Sequence, residues 1–172
     1  MQILKELITD KNTDLRGALA AISCISSVGI ALGLTFPILS IILDNKGYSG
    51  AVIGANAAVA GISSMAAVWL VTPFTRRFGV SNTLIIASLT AAISLMGFYL
   101  FDSIEVWFVL RAIFHGALTL SFVLSEFWIN SAVSEKRRGL MLGIYATFLS
   151  LGFGIGPGIL ALTGASGILP FA

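Results

Sequence analysis

The sequence predicts an all-α fold, a polytopic membrane helix bundle. Three observations carry that expectation: composition, the spacing of the apolar runs, and the sidedness of lysine and arginine. Of the 172 residues, 57% are hydrophobic and only 10% charged, and the mean hydropathy is +0.98. A soluble domain carries roughly 25% charged residues to keep its surface wet. A chain with so few must meet lipid over much of its surface.

A membrane helix needs about 20 apolar residues, each rising about 1.5 Å. By that ruler the spans fall at about 18–43, 51–72, 80–101, 104–130 and 140–162. Span two is expected to stop before Pro73. The connections, 44–50, 73–79, 102–103 and 134–139, are short and contain most of the remaining charge and turn residues. Short loops join antiparallel neighbours into a compact bundle. A sixth apolar stretch starts at Ile168 and is five residues long at Ala172, too short to cross a bilayer. The expectation is five full spans and the start of a sixth, with the natural protein continuing further. The alternative is a five-span protein with a short hydrophobic tail.

Basic residues set the orientation. Lys5, Lys11 and Arg16 precede span one, Arg76 and Arg77 follow span two, and Lys136, Arg137 and Arg138 follow span four. The opposite side has only Lys46, and Arg111 lies inside span four. Lysine and arginine stay in the cytoplasm. The N-terminus is therefore expected to be cytoplasmic, in an inner (plasma) membrane of bacterial type, with lipid as the main partner.

Several function classes are set aside. No basic run of the kind that grips nucleic acid is present. One cysteine, Cys24, and one histidine, His115, supply neither a disulfide nor a closed metal site, so no metal or cofactor is expected. Gly47-Tyr48-Ser49-Gly50 matches the Gly-x-Ser-Gly of rhomboid proteases. However, Ser49 falls in an outer loop, suited to cap span two, and His115 lies in span four. The chain is not expected to be an enzyme.

Small residues crowd two spans. Span two contains Gly54, Ala55, Ala57, Ala58, Ala60, Gly61, Ser63 and Ser64, and span five contains Gly143, Gly152, Gly154, Gly156 and Gly158. In lipid, such residues let helices approach closely. Pro157, within Gly152-Phe153-Gly154-Ile155-Gly156-Pro157-Gly158, removes a backbone donor and crowds the preceding turn. A kink is expected there, static or moving. Trp69, Trp107 and Trp128 lie near span ends and read as interfacial anchors.

These features together resemble the N-terminal six-helix half of the major facilitator superfamily. The family's loop between spans two and three reads Gly-x-x-x-Asp-Arg-x-Gly-Arg-Arg. Here it is Thr72-Pro73-Phe74-Thr75-Arg76-Arg77-Phe78-Gly79-Val80-Ser81, in which Arg77 and Gly79 match. Arg76 replaces the aspartate, as in the YcaD-like branch of the family. Span four of the family carries an arginine followed four residues later by glycine; Arg111 matches, and His115 holds the glycine position. Span five of many antiporters reads Gly-x-x-x-Gly-Pro-x-x-Gly-Gly; Gly152, Gly156 and Pro157 match, while Leu160 and Ala161 replace the closing glycines. The resemblance covers essentially the whole chain. It implies secondary transport of a small molecule by alternating access, with protons a further candidate partner, and a C-terminal half beyond this chain. A channel or a structural membrane subunit is the alternative.

The resemblance also implies that spans one, two, four and five line a central cavity. Asn56 and Thr35-Phe36-Pro37 then become candidates for substrate contact. Span four collects a polar stripe. At about 100° per residue, with Arg111 at zero, His115 falls at about 40°, Glu126 at about 60°, Thr119 at about 80° and Asn130 at about 100°. A charge deep in a membrane helix costs about 2.5–3.5 kcal/mol on insertion scales, so it should face protein or a wet cavity. Arg111 suits an anionic group or tunes a carboxylate. His115 suits proton coupling, because an unperturbed histidine titrates near neutral pH. The competing reading is that Arg111 and Glu126 snorkel to opposite interfaces, and that Asn56 only ties two helices together.

Overall fold

Residues 14–171 are described by the structure, a computed structural model; Lys5, Lys11 and the side chain of Lys136 lie outside the described residues. Five long helices run in order: α1 (Leu15–Asn45), α2 (Gly50–Phe78), α3 (Val80–Leu100), α4 (Ile104–Ala132) and α5 (Arg138–Thr163). Short 3₁₀ turns occupy Glu135–Arg137 and Leu169–Phe171. All five long helices are apolar and long enough to cross a membrane. At 1.5 Å per residue the shortest, α3, is about 31 Å long, matching the bilayer's hydrocarbon thickness. Large apolar side chains face outward throughout. Met65 is 75% exposed, Ile93 71% and Leu162 90%, a surface that water would not tolerate and lipid does.

Capping fixes three of the starts. Asp14 accepts from the Gly17 amide at 3.1 Å, Ser49 from Val52 at 3.4 Å and Ser103 from Val106 at 3.5 Å. Each satisfies an amide that the first turn leaves orphaned. Sequence reasoning ends span two too early. Helix α2 runs through Pro73 and stops at Gly79, whose φ of 78° is glycine territory. Proline costs the helix one donor, but the backbone can continue beyond it. The Thr75 hydroxyl donates to the carbonyl of Val71 at 2.8 Å and lies 3.1 Å from that of Thr72, tying down the turn around Pro73. The expected seven-residue connection thus shrinks to Gly79, which ends α2 and begins α3.

Packing follows a two-fold pattern. Helix α1 packs most heavily on α5, and α4 packs most heavily on α2. Helices α1 and α4 thus each take as main partner the helix that follows the other, α5 after α4 and α2 after α1. Helices α1 and α4 meet in the middle, and α3 lies against α4. The α1–α5 contact is a glycine seam. Gly29 faces Gly152, and Gly33 faces Gly156, so the two helices run parallel. A Cβ on Gly152 would sit 2.6 Å from the Ser26 carbonyl oxygen, and one on Gly29 would sit 2.5 Å from that of Leu149. Helix backbones this close require glycine on both sides. Helix α2 also runs parallel to α4 but at greater distance: a Cβ on Gly116 would lie an ordinary 3.8 Å from that of Ala67.

Trp107 is not an interfacial anchor. It is buried, its ring stacks edge-on against Phe98 at 5.4 Å, and its Nε1 donates to the Phe101 carbonyl at 2.6 Å. The carbonyl at the corner after α3 takes its donor from the indole, which turns inward to reach it. Above its ring, at 4.9 Å, sits the Lys46 ammonium, which also pairs with Asp102 at 2.7 Å. Trp69, by contrast, is 84% exposed.

Candidate functional site

The polar residues of α4 divide into two places. Arg111 and His115, one turn apart, are both buried, at 1% and 3% exposure. They lie where α4 meets α1. The Arg111 guanidinium carbon stands 5.7 Å from the centroid of the Phe36 ring, and the His115 ring lies 5.6 Å from the same ring. Phe114 also meets His115, at 5.3 Å and 90°. Two aromatic neighbours therefore fix the imidazole. His115 also lines a cleft of about 120 Å³ between α1, α2 and α4, with Val28, Leu32, Ser64 and Thr119 among its walls.

Glu126 is elsewhere. It is exposed, and 15 residues at 1.5 Å place it about 22 Å along the helix from Arg111. Thr119 and Asn130 spend their side chains locally, donating to the carbonyls of His115 at 2.8 Å and Glu126 at 2.9 Å. Thr35 does likewise toward Ala31 at 2.6 Å.

Asn56 is 1% exposed. It belongs with Ala60 and Ala67 to the buried stripe of α2. Ala51, Val52 and Ala55 face Ile104, Glu105 and Phe108 across one end of the α2–α4 interface, and Ala67 faces Gly116 further along. This register puts Asn56 about one turn from the level of Arg111, on the side toward which α4 side chains lean. Asn56 Nδ2, Arg111 Nε and His115 Nε2 are buried without a hydrogen-bond partner among the described residues. Buried polar groups are normally paired, so each of these three atoms is an exception within the bundle.

The remaining sequence candidates sit at the seams and corners. Arg77 is exposed, with its guanidinium carbon 5.5 Å from the Phe78 ring. Gly79 forms the α2–α3 corner. Gly152 and Gly156 are buried in the α1 seam, while Pro157 beside them is exposed. Sequence reasoning missed Gly29 and Gly33, the other half of that seam. Their Gly-x-x-x-Gly spacing within span one was a readable signal. Also missed was a buried polar set at the other end of the α1–α4–α5 junction. Tyr145 and Ser125 hydroxyls lie 2.9 Å apart, and the Tyr145 hydroxyl donates to the Phe122 carbonyl at 3.3 Å.

The sequence model of the Major Facilitator Superfamily matches residues 21–169. The chain belongs to the major facilitator superfamily. A relative in Bacillus subtilis (strain 168), the uncharacterized MFS-type transporter YfkF, is 31% identical over 151 residues. That alignment covers 86% of this chain and 38% of the relative, so the chain spans well under half the length of that protein. No solved structure matches the chain. For a major facilitator chain the two-fold packing pattern has a ready meaning, since each six-helix half of such transporters is built from two inverted three-helix repeats. The residues carry no visible repeat here; the helix pairing does.

Proposed function

We propose that this chain supplies one wall of the substrate site of a secondary carrier that moves a small molecule by alternating access. Arg111, buried beside α1 with no ion pair and no partner for its Nε among the described residues, is the observation that carries the reading. An uncompensated charge in a membrane bundle is costly to keep, and a purely structural subunit gains nothing from it. In this reading Arg111 and Asn56 hold the solute, and His115 couples its movement to protons. The least-buried long helices, α2 and α5, turn their free faces to the rest of the transporter. The end bearing Arg76, Arg77 and Arg138 faces the cytoplasm, together with the N-terminus.

Uptake of radiolabelled solute by the full-length carrier in proteoliposomes tests this. It should saturate and follow a gradient, unlike flux through a channel. Arg111→Leu should abolish or uncouple uptake while membrane expression is unchanged. Normal uptake by that variant across a range of pH would make the cluster structural and remove the support for proton coupling.

A further inference from the structure

The unpartnered polar atoms of Arg111 and Asn56 share one chemical character. Arg111 Nε and Asn56 Nδ2 are obligate donors, and neither finds an acceptor among the described residues. His115 Nε2, equally unpartnered, donates or accepts according to tautomer. The guanidinium forms no ion pair among the described residues and sits over the face of the Phe36 ring. Ring faces attract cations but accept hydrogen bonds poorly compared with oxygen. None of the described carboxylates, Asp14, Asp44, Asp102, Glu105, Glu126 and Glu135, lies within ion-pair distance of Arg111.

We propose that the transported solute bears an anionic, acceptor-rich group, received by Arg111 and Asn56, with the rings of Phe36 and His115 flanking it. This rests on the carrier reading and narrows it to a substrate class. A carboxylate or phosphate group offers the acceptors that both orphan donors lack and neutralises the guanidinium. Charge-assisted bonds of this kind are about twice as strong as neutral ones. A cationic solute would meet a fixed positive charge instead. An uncharged solute would leave that charge uncompensated, which is the expensive state for a buried ion. The adjoining cleft is small and mostly walled by apolar groups, so the anionic group belongs to a compact organic solute whose apolar part fits such walls.

The test uses the full-length protein purified in detergent. Thermal stabilisation is measured with matched probes: benzoate, benzamide and benzylammonium; succinate, succinamide and 1,4-diaminobutane; glycerol 3-phosphate and glycerol. At least one anion should stabilise the protein while its uncharged and cationic counterparts do not. Arg111→Gln should weaken that anion by about 10–100-fold, the cost of losing a charged hydrogen-bond partner. Arg111→Lys should retain part of the affinity. Asn56→Asp, which leaves the arginine in place, should also weaken the anion, and it serves should Arg111→Gln fail to fold. Stabilisation by uncharged or cationic probes alone overturns the proposal, as does anion binding indifferent to both variants. Absence of stabilisation by every anion overturns it too, and means that a carboxylate from elsewhere in the transporter answers Arg111. Uptake of the probes by the same preparation separates the two levels of inference. Uptake of an uncharged or cationic probe sinks the anion and leaves the carrier standing; uptake of none sinks both.

Discussion

The α1–α5 seam makes a quantitative prediction about two neighbouring glycines of one helix. A Cβ on Gly152 would meet the Ser26 carbonyl oxygen at 2.6 Å and the Ile30 amide nitrogen at 3.0 Å, whereas ordinary contact begins at 3.4 Å. Both obstacles are backbone, so no side chain can swing aside. The helices must part by about 0.8 Å. A gap of 0.5–1 Å forfeits about a quarter to a half of each dispersion contact along the seam. Overpacking of this kind costs about 1–3 kcal/mol. Gly156→Ala should cost at least as much, because its Cβ would run into the backbone of Gly33 and Leu34. Gly154→Ala is the control. It lies between the two on the same helix, and a Cβ there meets nothing within 4 Å. Alanine favours helix over glycine by about 0.5–1 kcal/mol, so this variant should be neutral or stabilised. Melting of the purified chain in detergent, followed by size-exclusion chromatography, compares the three. If Gly156→Ala and Gly154→Ala melt together, the seam is not a close backbone contact and the reasoning fails.

Three other outcomes follow from the same geometry. Tyr145→Phe removes the hydroxyl shared with Ser125 and should destabilise by about 0.5–1.5 kcal/mol; an unchanged unfolding midpoint in graded detergent denaturation would contradict the hydrogen bond. The Lys46 hydrogen bond and charge hold the Asp102 carboxyl below its ordinary value, so the pair stabilises above the unfolded carboxyl pKa of about 3.9 and loses this as pH falls through the folded value. Asp102→Asn should therefore melt slightly lower at neutral pH, in a salt-sensitive way, and like the parent in strong acid; a deficit persisting in acid would place its cause elsewhere. With Cys24 replaced by serine, a cysteine at Glu135 should react with an impermeant maleimide only from the cytoplasmic side and one at Asn45 only from the other; labelling of the Glu135 position from outside would invert the topology.

The spans were legible because lipid leaves one dominant signal, a long apolar run, and no competing surface chemistry. Their ends were less so. Pro73 reads as a stop, yet a helix with nothing else to do beyond it continues until Gly79 relieves the backbone. The pairing of Arg111 with His115 was legible, since it needs only the helical repeat. Glu126 shares their angular stripe but not their depth, and an angle alone conceals 22 Å of axial distance. Phe36, the ring that joins Arg111 and His115, lies 75 residues before Arg111 in the sequence, and only the α1–α4 contact brings it there. Trp107 turned inward for an acceptor, the Phe101 carbonyl, that a hydropathy profile does not contain.

Gly79 has a mechanical consequence. Two helices that share one residue as end and beginning have no slack between them, and with φ at 78° and ψ at 165° that residue occupies a conformation essentially reserved for glycine. Any tilt of α2 therefore reaches the start of α3 through a single residue, with no loop to take it up. Inserting even a few flexible residues after Gly79 would leave both helices intact yet let one tilt without the other. The corner is a coupling one residue long.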